Sequence, residues 1–334
     1  MELIYPAYYH TFSCIAAACS DSCCKEWDVD VDSASAAYYR SLPGTLGDRL
    51  RQVLRDTQDG TVMTTQQGRC PMWQQDGLCR IQAELGHDAL CQVCQQFPRL
   101  RHDYGNFAEL GLELSCPEAA RLILTSDEHS LCREEVPGDE EREYDTGTMD
   151  ILLHSRSVFL DFLEATDMSF PQALAVLLLY AHEVQAQIDG GEPAQLLPET
   201  FLREAAEYAG DADPTALMVF FQQLEILTSK WQSRLQAPPA VPCWMPEHFA
   251  LLRYLLNRYW LQAVSDFDIL CRAKFMVAAC LLVGFLGGQT VETAQLFSKE
   301  IENNPDNVEQ ILDGAYSAPA LTDVRILGLL LGNN

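Results

Sequence analysis

The chain has 334 residues, with 22 lysines and arginines against 48 aspartates and glutamates, a formal net charge of −26. A surface with that charge repels phosphate backbones, so we expect no nucleic acid partner. The length allows two domains, or one core with a large appended module.

The N-terminus argues against export, and the longest apolar stretch argues against a membrane span. The opening residues MELIYP lack the basic start and the apolar run of a secretory signal, so we expect a cytoplasmic protein. Residues 275–288 are apolar but contain glycines and are too short to span a bilayer, which predicts a buried helix and no membrane partner. In the reducing cytoplasm thiols stay free, and the thirteen cysteines are an odd number, so a full disulfide framework is disfavoured.

Composition divides the chain into three regions. Residues 1–133 hold most cysteines and only short helical stretches, and they predict a cysteine-rich domain that binds a metal or cluster. Residues 134–150 are acidic and contain proline and glycine, which predicts a solvated linker. Residues 151–334 have long helical periodicity. The predicted fold is therefore mostly α: a small, irregular, cysteine-rich metal-binding module followed by a multi-helix domain.

The pattern predicts few strands and many helices. Strands are expected only at 27–31 and 61–65, and short helices at 81–90 and 117–124. In the third region, apolar periodicity predicts helices over 151–163, 171–188, 197–209, 214–235, 247–263, 267–287, 290–303 and 319–331.

Eight cysteines in the first region form two clusters at short spacing. They are Cys14, Cys19, Cys23 and Cys24, followed by Cys70, Cys79, Cys91 and Cys94. Two cysteines separated by two residues can face one metal from a turn, and an all-thiolate set suits zinc and iron–sulfur chemistry alike. Eight thiolates exceed the need of one tetrahedral ion, so there are two sites, or one four-ligand cluster with spare cysteines. We expect Cys132, Cys243, Cys271 and Cys280 to be small buried side chains.

Several ordered landmarks together resemble the flagellin lysine-N-methylase family, which belongs to a wider group with a zinc- or iron-chelating cysteine domain. They are PAYYHTFSC, the run CIAAACSDSCCKEWDVDVD, the segment RCPMWQQDGLCRIQAELGHDALCQVCQQFPR, and LELSCPEAARLIL. The resemblance covers about residues 3–125, and the helical remainder agrees only in length and character.

The resemblance implies transfer of methyl groups from S-adenosylmethionine to lysines of flagellin in the bacterial cytoplasm. It also implies a four-iron, four-sulfur cluster, with zinc as the alternative, held by members of the eight clustered cysteines and with Cys116 as a further candidate. Two features depart from familiar methyl-transfer enzymes. The chain lacks the glycine-rich strand-to-helix turn of the nucleotide-binding fold, and Glu26 stands where the usual radical cluster motif has its third cysteine. The site of the methyl donor is therefore unassigned.

Four residues near the clusters are candidates for catalysis or donor binding. Tyr8 and Tyr9 can accept a hydrogen bond from an amine and line a cationic pocket, or they anchor the N-terminus on the core. Asp28 lies in a short strand whose aspartates share one face, where it attracts a substrate lysine or forms a solvated edge. Arg99 is placed to bind the donor carboxylate, or to neutralise a thiolate-rich cluster.

Two other functions fit the same residues. One is a zinc-stabilised protein-binding module that catalyses nothing, and the other is a redox or metal-handling protein whose spare thiols exchange their ligand. Metal analysis of protein purified without oxygen separates the zinc module from the methylase, and incubation with flagellin and labelled donor separates the redox protein from it.

Overall fold

The computed structural model describes residues 1–138, 141, 144–207 and 213–332, and this part of the chain is mostly helical. The fifteen α-helices in the described ranges are α1 Ser33–Ser41, α2 Gly44–Val53, α3 Arg80–Leu85, α4 Gln92–Gln96, α5 Pro117–Thr125, α6 Thr146–Ala165, α7 Phe170–Ile188, α8 Pro198–Glu207, α9 Thr215–Gln222, α10 Ser229–Gln236, α11 Pro246–Tyr259, α12 Ile269–Leu286, α13 Thr290–Phe297, α14 Pro305–Ser317 and α15 Asp323–Leu331. A π-helical turn, Ser298–Glu302, continues α13. The expected mostly α fold is confirmed.

Two small sheets accompany the helices, and the prediction that strands are nearly absent was wrong. The strands are β1 Glu2–Pro6, β2 Val29–Val31, β3 Leu54–Asp56, β4 Thr61–Met63, β5 Arg99–Asp103, β6 Phe107–Leu112 and β7 Leu131–Glu135. One sheet has the order β5-β6-β1-β7, with β1 parallel to β6, and the other is antiparallel in the order β2-β4-β3. The missed strands β5 and β7 lie at sheet edges and are mostly charged, so they lack the apolar alternation that identifies a strand.

Two hydrophobic cores organise the chain. The smaller core lies within residues 29–91, around Tyr39, Leu50 and Met72. The larger core combines the helices from α5 onward with strands of the first sheet, through residues such as Ile4 and Phe107. The N-terminal region therefore contributes to both cores. The domain boundaries at 133 and 150 stay predictions, and parts of the proposed linker, residues 139–140 and 142–143, lie outside the described residues.

Helix α12 forms the centre of the larger core. It is long and apolar enough by composition to cross a membrane, but 89% of it is buried inside the protein. Its two charged residues are buried and paired, Arg272 with Asp266 at 2.8 Å and Lys274 with Asp323 at 2.9 Å. A Cβ atom at Gly284 would stand 2.4 Å from the Trp244 ring, so glycine permits this close approach.

The helix predicted over 214–235 is interrupted, and helices α1, α2, α4 and α14 were not predicted. Residues 223–228 separate α9 from α10, because tertiary bonds replace helical ones there: the Glu225 amide donates to Asn307 at 2.9 Å and the Leu227 amide donates to Glu300 at 2.8 Å. Helix α14 was not predicted. Its start is nevertheless encoded locally, since the Asn304 side chain accepts from the amides that follow Pro305.

A buried ion pair joins the first sheet to the helices, and we expect it to be important for stability. Arg156 of α6 binds Glu109 of β6 through two hydrogen bonds, the longer of 3.0 Å, and both side chains are buried. Arg156→Met leaves a buried carboxylate unpaired, so the free energy of unfolding in urea should fall by about 3–5 kcal/mol. The control is Arg133→Met, which removes an exposed partner of Glu2 and should cost below about 1 kcal/mol. Equal losses in the two variants would contradict this assignment.

Candidate functional site: a cavity between thiols and buried charges

A cavity of about 510 Å³ lies where the smaller core meets the helical body. One part of its lining is rich in sulfur and comes from the cysteine region: Cys23, Cys24, Cys70, Cys79, Cys91 and Cys94. Another part is charged and polar and comes mainly from α11 and the π-helical turn: Glu113, Arg258, Lys299, Glu300, Glu302 and Asn303. Six of the eight predicted ligand cysteines thus share one cavity.

Local structure brings the six thiols together. The Cys70 amide donates to the Cys24 carbonyl at 2.8 Å, which joins the two sequence clusters, and Cys79 and Cys91 stand at the N-termini of α3 and α4. Hydrogen bonds from the thiols of Cys23 and Cys70 lower the pKa of Cys24. The thiol of Cys94 lowers the pKa of Cys91 in the same way, despite the opposing effect of burial.

The other two predicted ligands lie outside the cavity lining. Cys14 and Cys19 neighbour Cys116 instead, at the start of α5. Burial raises the pKa of Cys116 to about 11, and the charges of Cys19 and Cys14 add to that increase. The eight cysteines therefore separate into a cavity set of six and a pair, Cys14 and Cys19, which forms a second group with Cys116. Of the remaining four, Cys271 and Cys280 are buried as predicted, whereas Cys243 is exposed.

The cavity thiols do not form a closed single-ion site. Among the described residues, no three His, Cys, Asp or Glu side chains are grouped as one metal ion requires, so a distinct metal-binding module is not shown. A zinc ion at about 2.3 Å from each sulfur would need its ligands within about 4 Å of one another. An iron–sulfur cluster takes each thiolate at a separate iron, and the chemistry of six thiols around one cavity fits that larger group.

Lys299 connects the cysteine region to the helical body. Its buried ammonium donates to both carboxylate oxygens of Asp21 at 3.0 Å, pairs with Glu26, and lies 5.2 Å from the centre of the Trp27 ring. Gln295 also donates to Asp21, at 3.1 Å. Asp21 and Glu26 flank Cys23 and Cys24, so these contacts fix the loop that carries two cavity thiols.

The π-helical turn gives the cavity its other buried charges. Such turns are rare and are frequent at functional sites. Glu302 accepts from Tyr259 at 2.9 Å and from Tyr254 at 3.2 Å, and it lies 3.4 Å from the Arg258 guanidinium. Burial raises the pKa of Glu300, although hydrogen bonds from Thr228 and the Leu227 amide oppose that increase.

The structure separates the predicted catalytic candidates from one another. Asp28 lines the large cavity, where its carboxylate accepts from the Thr65 amide at 2.7 Å. Tyr8 lines a different cavity of about 40 Å³. Tyr9 packs against Tyr5, with 5.8 Å between the ring centres. Arg99 lies over the Phe12 ring at 5.2 Å and does not line the large cavity. The roles of these four residues stay predictions.

The charged part of the cavity was not predicted from the sequence. Glu113 follows strand β6, and Lys299, Glu300 and Glu302 fall within one predicted helix, where closely spaced charges are typical of a solvated face. The burial of all three in the π-helical turn was not signalled by the residue pattern.

The chain is similar to curated proteins over about a third of its length. No family profile and no solved structure matches it. Among curated proteins, the flagellar biosynthetic protein FliU of Salmonella muenchen is 33% identical over 132 residues, which cover 36% of this chain and 75% of that protein. The lysine-N-methylases of Salmonella typhimurium and Salmonella choleraesuis are each 34% identical over 129 residues, which cover 36% of this chain and 31% of each methylase.

These similarities define the class of the protein. The chain belongs to the flagellin lysine-N-methylase family, as the sequence landmarks predicted.

Proposed function

We propose that the protein transfers methyl groups from S-adenosylmethionine to lysine side chains of flagellin, in the cytoplasm, and that it holds a four-iron, four-sulfur cluster. The names of the relatives support a lysine methylase linked to flagella, although the match spans only about a third of the methylases' own length. The observation that carries the proposal is the single cavity in which six thiols meet buried carboxylates and a guanidinium.

The six cavity cysteines are the proposed cluster ligands. Four of Cys23, Cys24, Cys70, Cys79, Cys91 and Cys94 would hold the four irons. When bound, such a cluster would hold the surrounding loops together beside the reaction cavity. The chain's own residues hold the thiol loops in place, through the Asp21–Lys299 contacts and the smaller core.

The cavity is suited in size and charge to the reacting groups. Its volume of about 510 Å³ lies within the range of small-molecule sites, about 300–1,000 Å³. Both reactants are cationic at neutral pH, the donor at its sulfonium and the substrate at its lysine ammonium. Six carboxylates line the cavity against two cationic side chains, Arg258 and Lys299, and this negative excess favours both charges. Binding donor and lysine side by side in this cavity would align nitrogen, methyl carbon and sulfur for transfer.

The test begins with protein purified without oxygen. We expect iron and sulfide in similar amounts and visible absorption, followed by a rise in lysine mass when flagellin and methyl-labelled donor are added. Colourless protein that contains zinc and no iron would contradict the cluster and favour a zinc-stabilised binding module. Iron-loaded protein that leaves flagellin lysines unchanged would contradict the methylase and favour a redox or metal-handling protein.

A further inference from the structure

Most carboxylates of the large cavity are already neutralised or solvated. Glu302 is compensated by Arg258 and by the hydroxyl of Tyr259. Glu300 accepts from the hydroxyl of Thr228 and from a backbone amide. These two buried charges therefore have protein partners, and neither needs a ligand.

The carboxylates at the cavity rim are satisfied as well. Glu225 is exposed and accepts from the Asn304 amide at 2.9 Å. Asp28 is exposed and accepts from the Thr65 amide, and Asp30 is exposed, so water solvates its charge. The rim thus adds to the negative potential of the cavity without leaving a buried group that lacks a partner.

Within the part of the chain that the structure describes, Glu113 differs from Glu302 in having no ion pair and from the rim carboxylates in being partly buried, and its hydrogen bond from Ser115 is longer than those that Glu300 accepts. It follows β6, lines the cavity and is partly buried, yet among the described residues it has no ion-pair partner. Its carboxylate accepts from the Ser115 hydroxyl at 3.1 Å, and the Asn303 amide also favours its ionised form. The nearby Arg258 guanidinium is shared with Glu302 and with the Tyr254 hydroxyl, at 2.6 Å from the latter. In the described ranges, the Glu113 carboxylate therefore faces the cavity without a cation of its own, and a cation that enters the cavity can bind to it.

We propose that Glu113 binds the ε-ammonium of the substrate lysine in this cavity and accepts its proton before methyl transfer, an inference that rests on the proposed function. The lysine nitrogen gives one proton to the Glu113 carboxylate and becomes a neutral amine. Its lone pair then forms the nitrogen–carbon bond to the donor methyl, and the carbon–sulfur bond breaks with its electrons on sulfur. The products are a methylated lysine ammonium, a neutral thioether and a protonated Glu113.

The surroundings of Glu113 suit a proton acceptor. Burial raises its pKa above the ordinary glutamate value, while Arg258, first among the opposing groups, limits that increase. The other titratable groups that face it are Tyr254 from α11 and Glu302 from the π-helical turn. A carboxylate with a raised pKa binds a proton more firmly than an exposed one, which favours removal of a proton from a desolvated ammonium.

The decisive variant is Glu113→Gln, which keeps the shape and removes the charge. We expect kcat for flagellin to fall about 100-fold or more. Iron content, visible absorption and binding of S-adenosylhomocysteine should stay within about twofold of wild type. Raising the pH toward the pKa of free lysine, about 10.4, should restore part of the activity, because the substrate then loses its proton to water. The matched control is Glu118→Gln, which removes a carboxylate on the outer face of α5 that pairs with Arg121.

Each outcome has a distinct meaning. Glu113→Gln with wild-type kcat and pH profile would overturn the role of Glu113 alone. Loss of S-adenosylhomocysteine binding would assign the carboxylate to the α-ammonium of the donor and so overturn the lysine assignment. A wild-type protein that transfers no methyl group to flagellin would overturn the proposed function itself, and this inference with it.

A second variant tests the same group if Glu113→Gln fails to fold. Ser115→Ala removes a hydrogen bond that stabilises the ionised carboxylate, so the pKa of Glu113 should rise further. As the pH falls, activity that requires ionised Glu113 should then be lost at a higher pH than in wild type. The rate at alkaline pH should stay the same. An unchanged acid limb would contradict the proposal, since the titrating group would lie elsewhere.

Discussion

Cys91→Ala and Cys94→Ala are each expected to leave the protein with less than about a tenth of the wild-type iron, and with a lower melting temperature. Both side chains line the large cavity, and their thiols are hydrogen-bonded to each other. Removing one thiolate would expose an iron to solvent, and the cluster would be lost. The remaining thiolates would then repel one another, because no metal charge compensates them. Iron and sulfide assays, visible absorption and thermal unfolding measure the effect.

Two further cysteines provide controls for this experiment. Cys280 is completely buried in α12, so Cys280→Ala should keep its iron and cost on the order of 1 kcal/mol in the free energy of unfolding. Cys14→Ala should also keep its iron, because Cys14 lies with Cys19 and Cys116 outside the cavity lining. Full iron in both Cys91→Ala and Cys94→Ala would remove these residues from the ligand set. Iron loss in Cys280→Ala would mean that the helical body takes part in binding.

The helical part of the fold was predictable because its signals are local. Helix α7 begins where a Ser169–Gln172 capping box and Pro171 indicate it, and the long apolar run of α12 predicts a helix. The short strands were not predictable from their own residues. Strand β5 reads RLRHD and is defined by its pairing with β6, a partner that follows it in the chain. Such pairing depends on tertiary contacts more than on residue pattern.

The cysteines of the candidate site were predictable from the sequence, and its charged residues were not. Free cysteines at short spacing indicate a metal or cluster site wherever the fold places them. Lys299, Glu113 and Arg258 carry no such signal, because single charged residues in a helical pattern usually face solvent. Only the packing of the π-helical turn against the loop around Cys23 brings them into one cavity.

Lys299→Met should separate the two parts of the cavity, and it is the second large effect that we expect. Methionine retains the apolar stem, but Asp21 and Glu26 are left facing each other without a cation. Breaking a buried pair costs about 3–5 kcal/mol, and the partial exposure of these two carboxylates reduces the expected loss to about 2–3 kcal/mol. Urea unfolding measures it, with the exposed Lys230→Met as the control, which should stay within about 0.5 kcal/mol of wild type.

The pH dependence of this difference provides an independent check on the Lys299 contacts. Burial lowers the pKa of Lys299, but hydrogen bonds to Glu26 and Asp21 outweigh it and raise the pKa above the ordinary lysine value. A lysine whose pKa is higher in the folded than in the unfolded state contributes its full stability below about pH 10, and loses it as the pH rises through the folded value. The gap between wild type and Lys299→Met should therefore be constant near neutral pH and shrink under strongly alkaline conditions. A variant as stable as wild type at pH 7 would mean that Asp21 and Glu26 hold the Cys23 loop without Lys299.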